Sequence, residues 1–147
     1  MSCRDAYAGR VSHRSDWNPE SIPTSVERVD KPWGHEEIFA VSEGEYVGKT
    51  LHIDAGECLS LHYHRHKHET VSVLTGRILL DAGLPECELG RHELSAGQAF
   101  EIPAGVLHRI TALEQALVLE ASTAAPGWRD DVVRLEDRYG RVVSSGV

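Results

Sequence analysis

Two histidines one residue apart, His62 and His64, are followed by a carboxylate at Glu69 and, well downstream, by a further histidine at His108. Neutral imidazole suits borderline divalent ions and a carboxylate admits harder ones. This set is therefore expected to hold a divalent metal ion, with Zn foremost and Mn, Ni, Fe or Co as the other choices. Residues i and i+2 of a strand project to one face, so His62 and His64 can approach a common ion together. Glu69 has the opposite parity. It joins them only if the chain turns between Arg65 and His68 and returns on an adjacent strand that begins near Glu69. His66 and His68 then fall in the turn. They, with His13, His35, His52 and His92, are expected to face solvent and not to ligate. Pro103-Ala104-Gly105 makes a tight turn ahead of His108, which is expected to start a further strand facing the first pair.

The elements that must position these residues read as strands. Short apolar or alternating runs extend from Glu36 to Val41, Tyr46 to Ile53, Cys58 to His64, Thr70 to Leu74, Arg77 to Asp81, Glu86 to Leu89, Gln98 to Ile102, His108 to Ala112 and Ala116 to Ala121. Glycine-bearing turn pairs separate most of them. Many short strands with regular turns predict an all-β fold, an antiparallel barrel or double-sheet jelly roll; a parallel α/β sheet would need crossover helices. Residues 1–28 lack a sustained period and are expected to form an N-terminal arm, with 29–147 as a single domain. The charged stretch 130–140 is expected to be a short C-terminal helix or strand closing one end of the barrel.

With 147 residues, 41% hydrophobic and 26% charged, the chain is expected to fold as one soluble domain with a real core. A net charge of −8 and no run of Lys or Arg argue against nucleic acid or an anionic membrane as partner. A small anionic substrate stays open, because a pocket can be basic on an acidic protein. The first residues lack a signal-peptide core and no run approaches the roughly 18 apolar residues of a membrane span, so a cytoplasmic location is expected. Cys3, Cys58 and Cys87 contain no CxxC pair, the usage of a reducing compartment. Cys58 shares parity with His62 and His64, so in a regular strand its sulfur points to the metal side.

The spacing of Gly56, His62, His64, Glu69 and Gly76 matches the cupin motif G(X)5HXH(X)4E(X)6G. Gly97, Pro103, Gly105 and His108 match its partner G(X)5PXG(X)2H, departing at Ala112, where the family often has Asn. The resemblance implies a double-stranded β-helix barrel holding a metal through His62, His64, Glu69 and His108, commonly as a homodimer.

From Lys31 to Arg141 the chain also resembles the C-terminal cupin domain of type II mannose-6-phosphate isomerases. The segments that carry this are Lys31-Pro32-Trp33-Gly34, Tyr46 to Lys49, Leu59-Ser60-Leu61, Ile102-Pro103-Ala104-Gly105, His108-Arg109 and Asp131-Val132-Val133-Arg134-Leu135-Glu136-Asp137-Arg138-Tyr139-Gly140-Arg141. Larger members of that group carry a fused mannose-1-phosphate guanylyltransferase, and no part of the present sequence is expected to transfer nucleotides. The resemblance implies aldose-ketose isomerisation of a sugar or sugar phosphate, which needs a Lewis acid at the carbonyl and a group that carries a proton between neighbouring carbons. Lys49, Glu69 or water at the ion are the candidates for that proton. Arg109 and Arg138 are expected to take a phosphate through bidentate hydrogen bonds. The isomerase pattern has Gln in place of His62 and His in place of Thr70, and the stretch Ile110 to Gln115 lacks its Glu-Asn-Pro-Gly. An oxygen-using cupin and a non-catalytic sugar-binding cupin are the competing expectations.

Overall fold

The computed structural model describes residues 25–142. They form eleven strands: β1 (Glu27–Lys31), β2 (Gly34–Ser42), β3 (Tyr46–Ile53), β4 (Leu61–Tyr63), β5 (Glu69–Thr75), β6 (Arg77–Gly83), β7 (Gly90–Ser95), β8 (Ala99–Ile102), β9 (Leu107–Ala112), β10 (Ala116–Thr123) and β11 (Val133–Glu136). Two antiparallel sheets result, ordered β1-β2-β3-β10-β5-β8 and β11-β4-β9-β6-β7. Among the described residues no helix is long and apolar enough to cross a membrane.

The all-β jelly roll follows from alternation. Inward positions of the larger sheet, Leu51 and Ile53 on β3, Val71 and Val73 on β5 and Val118 on β10, meet Ile78 and Leu80 of β6 and Ile110 of β9 in one buried cluster. Burying each such side chain stabilises the fold by roughly 1.5–3 kcal/mol. A smaller cluster joins Ile38 of β2 and Val47 of β3 to Ala124 and Trp128, which follow β10. Between the two clusters the inward residues turn polar. Lys49 lies between Val47 and Leu51, Glu120 follows Val118, Glu69 precedes Val71 and Glu36 precedes Ile38.

Two element expectations are corrected. Glu86 to Leu89 is a turn and loop, and the strand is Gly90–Ser95, an edge strand with only Leu94 buried and thus almost no apolar pattern to read. β1, whose sequence Glu-Arg-Val-Asp-Lys is mostly charged, went unread; it begins at Glu27, inside the span expected to be an arm. The rest of that span, 1–24, lies outside the described residues. The C-terminal segment is a strand, β11, paired to β4.

Gly76 shows why the motif needs its last glycine. It has φ +80° in the β5–β6 turn, and a Cβ there would sit 2.3 Å from the Gln115 carbonyl oxygen. Only glycine tolerates both conditions.

Candidate metal centre

His62 on β4 lies directly opposite His108 on β9, and Arg134 of β11 flanks His62 on its other side. His64 follows two residues on. The ring centroids are 4.4 Å apart for His62 and His108, 5.0 Å for His62 and His64, and 5.6 Å for His64 and His108. One nitrogen from each ring lies within 4.8 Å of the others. All three are buried, with His108 only 1% exposed.

Each ring is held by a backbone carbonyl. His62 Nδ1 donates to Ser60 O at 2.9 Å, His108 Nδ1 to Val106 O at 2.9 Å, and His64 Nδ1 to Asp131 O. A carbonyl can only accept, so each Nδ1 carries a proton, and Nε2 is left as the nitrogen available to a metal. Burial pushes His62 well below the ordinary imidazole pKa, and the charges of His108 and His64 add to it. Burial likewise lowers His64, reinforced by Lys67. Both shifts favour the neutral imidazole, the form that binds metal, at His62 and His64.

Glu69 reaches the rings from the opposite sheet. Its Oε1 lies 3.0 Å from His108 Nε2 and its Oε2 3.5 Å from His64 Nε2. The three imidazoles form a cluster that could hold a metal ion, with the Glu69 carboxylate beside two of them. The expectation of an adjacent strand is corrected: β4 and β5 belong to different sheets, and the turn between them crosses the barrel. His108, near the start of β9, lies opposite His62 within one sheet.

That crossing turn is built by Asp131. Its Oδ1 accepts the amide of Arg65 at 2.9 Å, and its Oδ2 those of His66 and Lys67 at 2.9 and 2.8 Å. Burial would raise the Asp131 pKa, but the three amide donors bring it below the ordinary value. The turn aims Lys67 inward, where it is 5% exposed. Its Nζ lies 2.8 Å from Glu120 Oε1 and 2.7 Å from Glu69 Oε2, the latter a charge contact whose angle leaves Oε2 without a hydrogen bond. Burial alone would lower the Lys67 pKa, yet Glu120 and Glu69 together raise it, so the ammonium stays charged. Glu69 is correspondingly held well below the usual carboxylate range despite its burial, by His108 and Lys67.

Of the residues expected to act on substrate, Lys49 faces this cavity. It lies 3.5 Å from Glu36 and 5.5 Å from the centroid of the Trp128 ring. Arg109 and Arg138 do not line the cavity. Arg109 follows His108 on β9, so alternation turns it to the outer face, where it meets Glu136 at 3.3 Å and Asp81 at 4.0 Å. Arg138 hydrogen-bonds Gly56 O at 3.0 Å and lines the same outer groove. Cys58 lines that groove too, because residues 58–60 make only an isolated bridge and not a regular strand. Trp33 is buried in the main core, where it also borders the cavity. His66 and His68 lie in the turn, with His68 paired to Glu101.

Sequence reasoning overlooked Lys67, Glu120 and Arg134. Glu120 was legible, as a lone carboxylate at the inward parity of Ala116, Val118 and Ser122. Lys67 was not, because a turn residue has no parity to read.

The model of the family described as "Cupin domain" matches residues 49–121. Mannose-1-phosphate guanylyltransferase ManC of Salmonella typhimurium is 33% identical over 118 residues, 78% of this chain but 23% of its own length. Xanthan biosynthesis protein XanB of Xanthomonas campestris is 32% identical over 119 residues, 78% of this chain and 24% of its own. This chain thus spans about a quarter of the length of the curated relatives it matches. Among solved structures, the capsular polysaccharide assembling protein CapF of Staphylococcus aureus superposes with a TM-score of 0.66 at 18% identity, covering 76% of this chain and 34% of that one. KdgF from Halomonas sp. superposes at 0.57 with 25% identity, covering 67% and 87%. The matched motif, the two facing sheets and these likenesses agree: the chain belongs to the cupin superfamily.

Proposed function

We propose that this cupin is a metal-dependent isomerase of a sugar phosphate, interconverting aldose and ketose as the mannose-6-phosphate isomerase type does. The observation that carries this reading is the charge of the cavity. Lys31, Lys49, Lys67, Arg129, Arg134 and Arg141 line it against Glu36, Glu69 and Glu120, an excess of three positive charges in a chain of net charge −8. Such a pocket suits an anionic ligand beside the histidines. The relatives support the same class of substrate, since three are named for chemistry on mannose 1-phosphate.

A divalent ion held by His62, His64, His108 and Glu69 supplies Lewis-acid polarisation of the substrate carbonyl and its neighbouring hydroxyl. Lys49, projecting from β3 next to the cavity carboxylates, is the group assigned to carry the proton between adjacent carbons. Lys67 remains a fixed positive charge that sustains Glu69 and Glu120 as carboxylates. The phosphate falls to Arg134, which replaces Arg109 and Arg138 in this role. Its register partner is His62, and its Nε is buried without a hydrogen-bond partner, whereas Arg141 is committed to Asp137.

The test is turnover of mannose 6-phosphate and fructose 6-phosphate by the metal-loaded protein in D2O, followed by NMR. Interconversion with solvent deuterium entering carbon 1 or 2 is the expected result. Absence of turnover with every hexose and pentose phosphate overturns the reading. Arg134→Ala should raise KM for the phosphorylated sugar roughly tenfold or more, the scale of a lost charge-assisted contact, while Arg109→Ala leaves it unchanged.

A further inference from the structure

Outside the barrel, a second group of ligand-type side chains gathers where the sequence offered only scattered histidines. His35 on β2 and His52 on β3 are register partners, and Glu37 lies two residues beyond His35 on the same outward face. The imidazoles stack with centroids 4.1 Å apart and planes 12° from parallel. Both turn Nε2 toward one carboxylate: His52 Nε2 is 3.3 Å from Glu37 Oε2, and His35 Nε2 is 3.9 Å from Oε1. One ligand atom from each of the three lies within 4.8 Å of the other two.

A surface ion pair requires one histidine. Here two converge on a single carboxylate, and several features hold them there. The β2–β3 ladder is regular from Gly34 to Ile38, with its register shift only beyond Ile38. Gly34 lets β2 lie against β3 at this point, since a Cβ there would sit 2.0 Å from the His52 carbonyl oxygen. Thr50 Oγ1 donates to Glu37 Oε2 at 3.2 Å and so orients the carboxylate, as outer partners of metal ligands do.

The distances suit a small ion. Ligand atoms bound at about 2.1 Å in a tetrahedral shell lie roughly 3.4 Å apart, so the observed 3.3 and 3.9 Å separations need only small ring movements to receive one. The side chains of His35, Glu37 and His52 are 19%, 32% and 36% exposed, which leaves the remaining coordination positions open to water. Two imidazoles and one carboxylate select borderline ions such as Zn, Co, Ni or Cu, and offer too few oxygens for Ca or Mg. We propose that His35, Glu37 and His52 form a second, solvent-open site for a borderline divalent transition-metal ion on the outer face of the larger sheet. It is separate from the barrel centre and does not rest on the isomerase reading.

The experiment titrates Zn2+ into the metal-stripped full chain by isothermal calorimetry, with Co2+ absorption as a second readout. The decisive quantity is the difference between wild type and variant. His52→Ala and His35→Ala should each bind one equivalent fewer than wild type, or bind it at least roughly tenfold more weakly, and Glu37→Gln should weaken the same equivalent. His92→Ala, on another exposed strand, should match wild type. Circular dichroism checks that each variant is folded, and three separate substitutions guard against one that is not. The difference of one equivalent stands whether or not the barrel histidines bind metal. The proposal is overturned if His35→Ala and His52→Ala keep the wild-type stoichiometry and affinities, or if His92→Ala loses as much as they do.

Discussion

Among the described residues the protein carries two clusters of histidine with carboxylate, and they are built on opposite principles. In the barrel, each ring of His62, His64 and His108 is tied through Nδ1 to a backbone carbonyl, sealed from water and set beside a buried carboxylate. On the outer face, His35 and His52 are steadied by stacking and by Glu37, and water reaches all three. The first arrangement fixes tautomer and direction in advance. To do so it must bury Glu69 and Glu120, and hence Lys67 to neutralise them. The second needs no such support and gains correspondingly little rigidity. Preorganisation of a ligand shell is therefore a property of the surrounding residues more than of the ligands themselves.

The sharpest break is His108→Ala. It should abolish isomerase turnover and retention of the barrel ion together, read by assay and by metal analysis after gel filtration. A chelator should lower the melting temperature of wild type but scarcely that of the variant, since an ion present at about 100 times its Kd stabilises by about 2.7 kcal/mol. Next, Lys67→Met leaves two buried carboxylates facing each other. A loss of about 3–5 kcal/mol is expected in urea unfolding, partly recovered in the double variant with Glu120→Gln. Unchanged stability of Lys67→Met would show that the inner cluster has no need of its counter-ion.

Asp131→Ala removes the acceptor of three turn amides while leaving every ligand in place. The barrel ion should bind roughly 10- to 100-fold more weakly, the effect typical of outer partners, and the outer cluster should be untouched.

A smaller effect appears in acid. Asp137, which anchors Arg141 in the wall of the cavity, has its pKa lowered from 3.8 to about 2, chiefly by hydrogen bonds from Arg141. A depressed carboxylate contributes stability that is complete above its unfolded pKa and lost as pH falls through the folded one. The melting temperature should therefore fall between about pH 4 and about pH 2, and Asp137→Asn should flatten that slope. The smallest effect is that of His52→Ala on stability, expected within about 0.5 kcal/mol because the residue lies on the surface.

How much of this was legible beforehand varied with the kind of signal. Residues that obey strand parity could be read: His62 with His64, and Lys49 in the inward series with Val47 and Leu51. Arg109 lies outside the cavity because alternation turns the residue after His108 outward. Of the two substitutions that set this chain apart from the isomerase pattern, His62 enters the cavity, whereas Thr70 follows the inward Glu69 on β5 and lies on the outer face. Edge strands β1 and β7 were missed or displaced because exposure on both faces erases the apolar period.

The sequence by itself determined the jelly roll, through alternating apolar runs, and the four candidate ligands, through spacings matched to strands and tight turns. Those are local properties, set within a few residues by the two-residue pleat and by glycine at positive φ. Only the tertiary structure decided that Glu69 crosses from the opposite sheet on a turn held by Asp131, and that Lys67 is buried between two carboxylates. It alone brought Arg134 beside His62 and paired His35 with His52. Each depends on which strands become neighbours and in what register, a choice made by the packing of the whole core and carried by no short stretch of sequence.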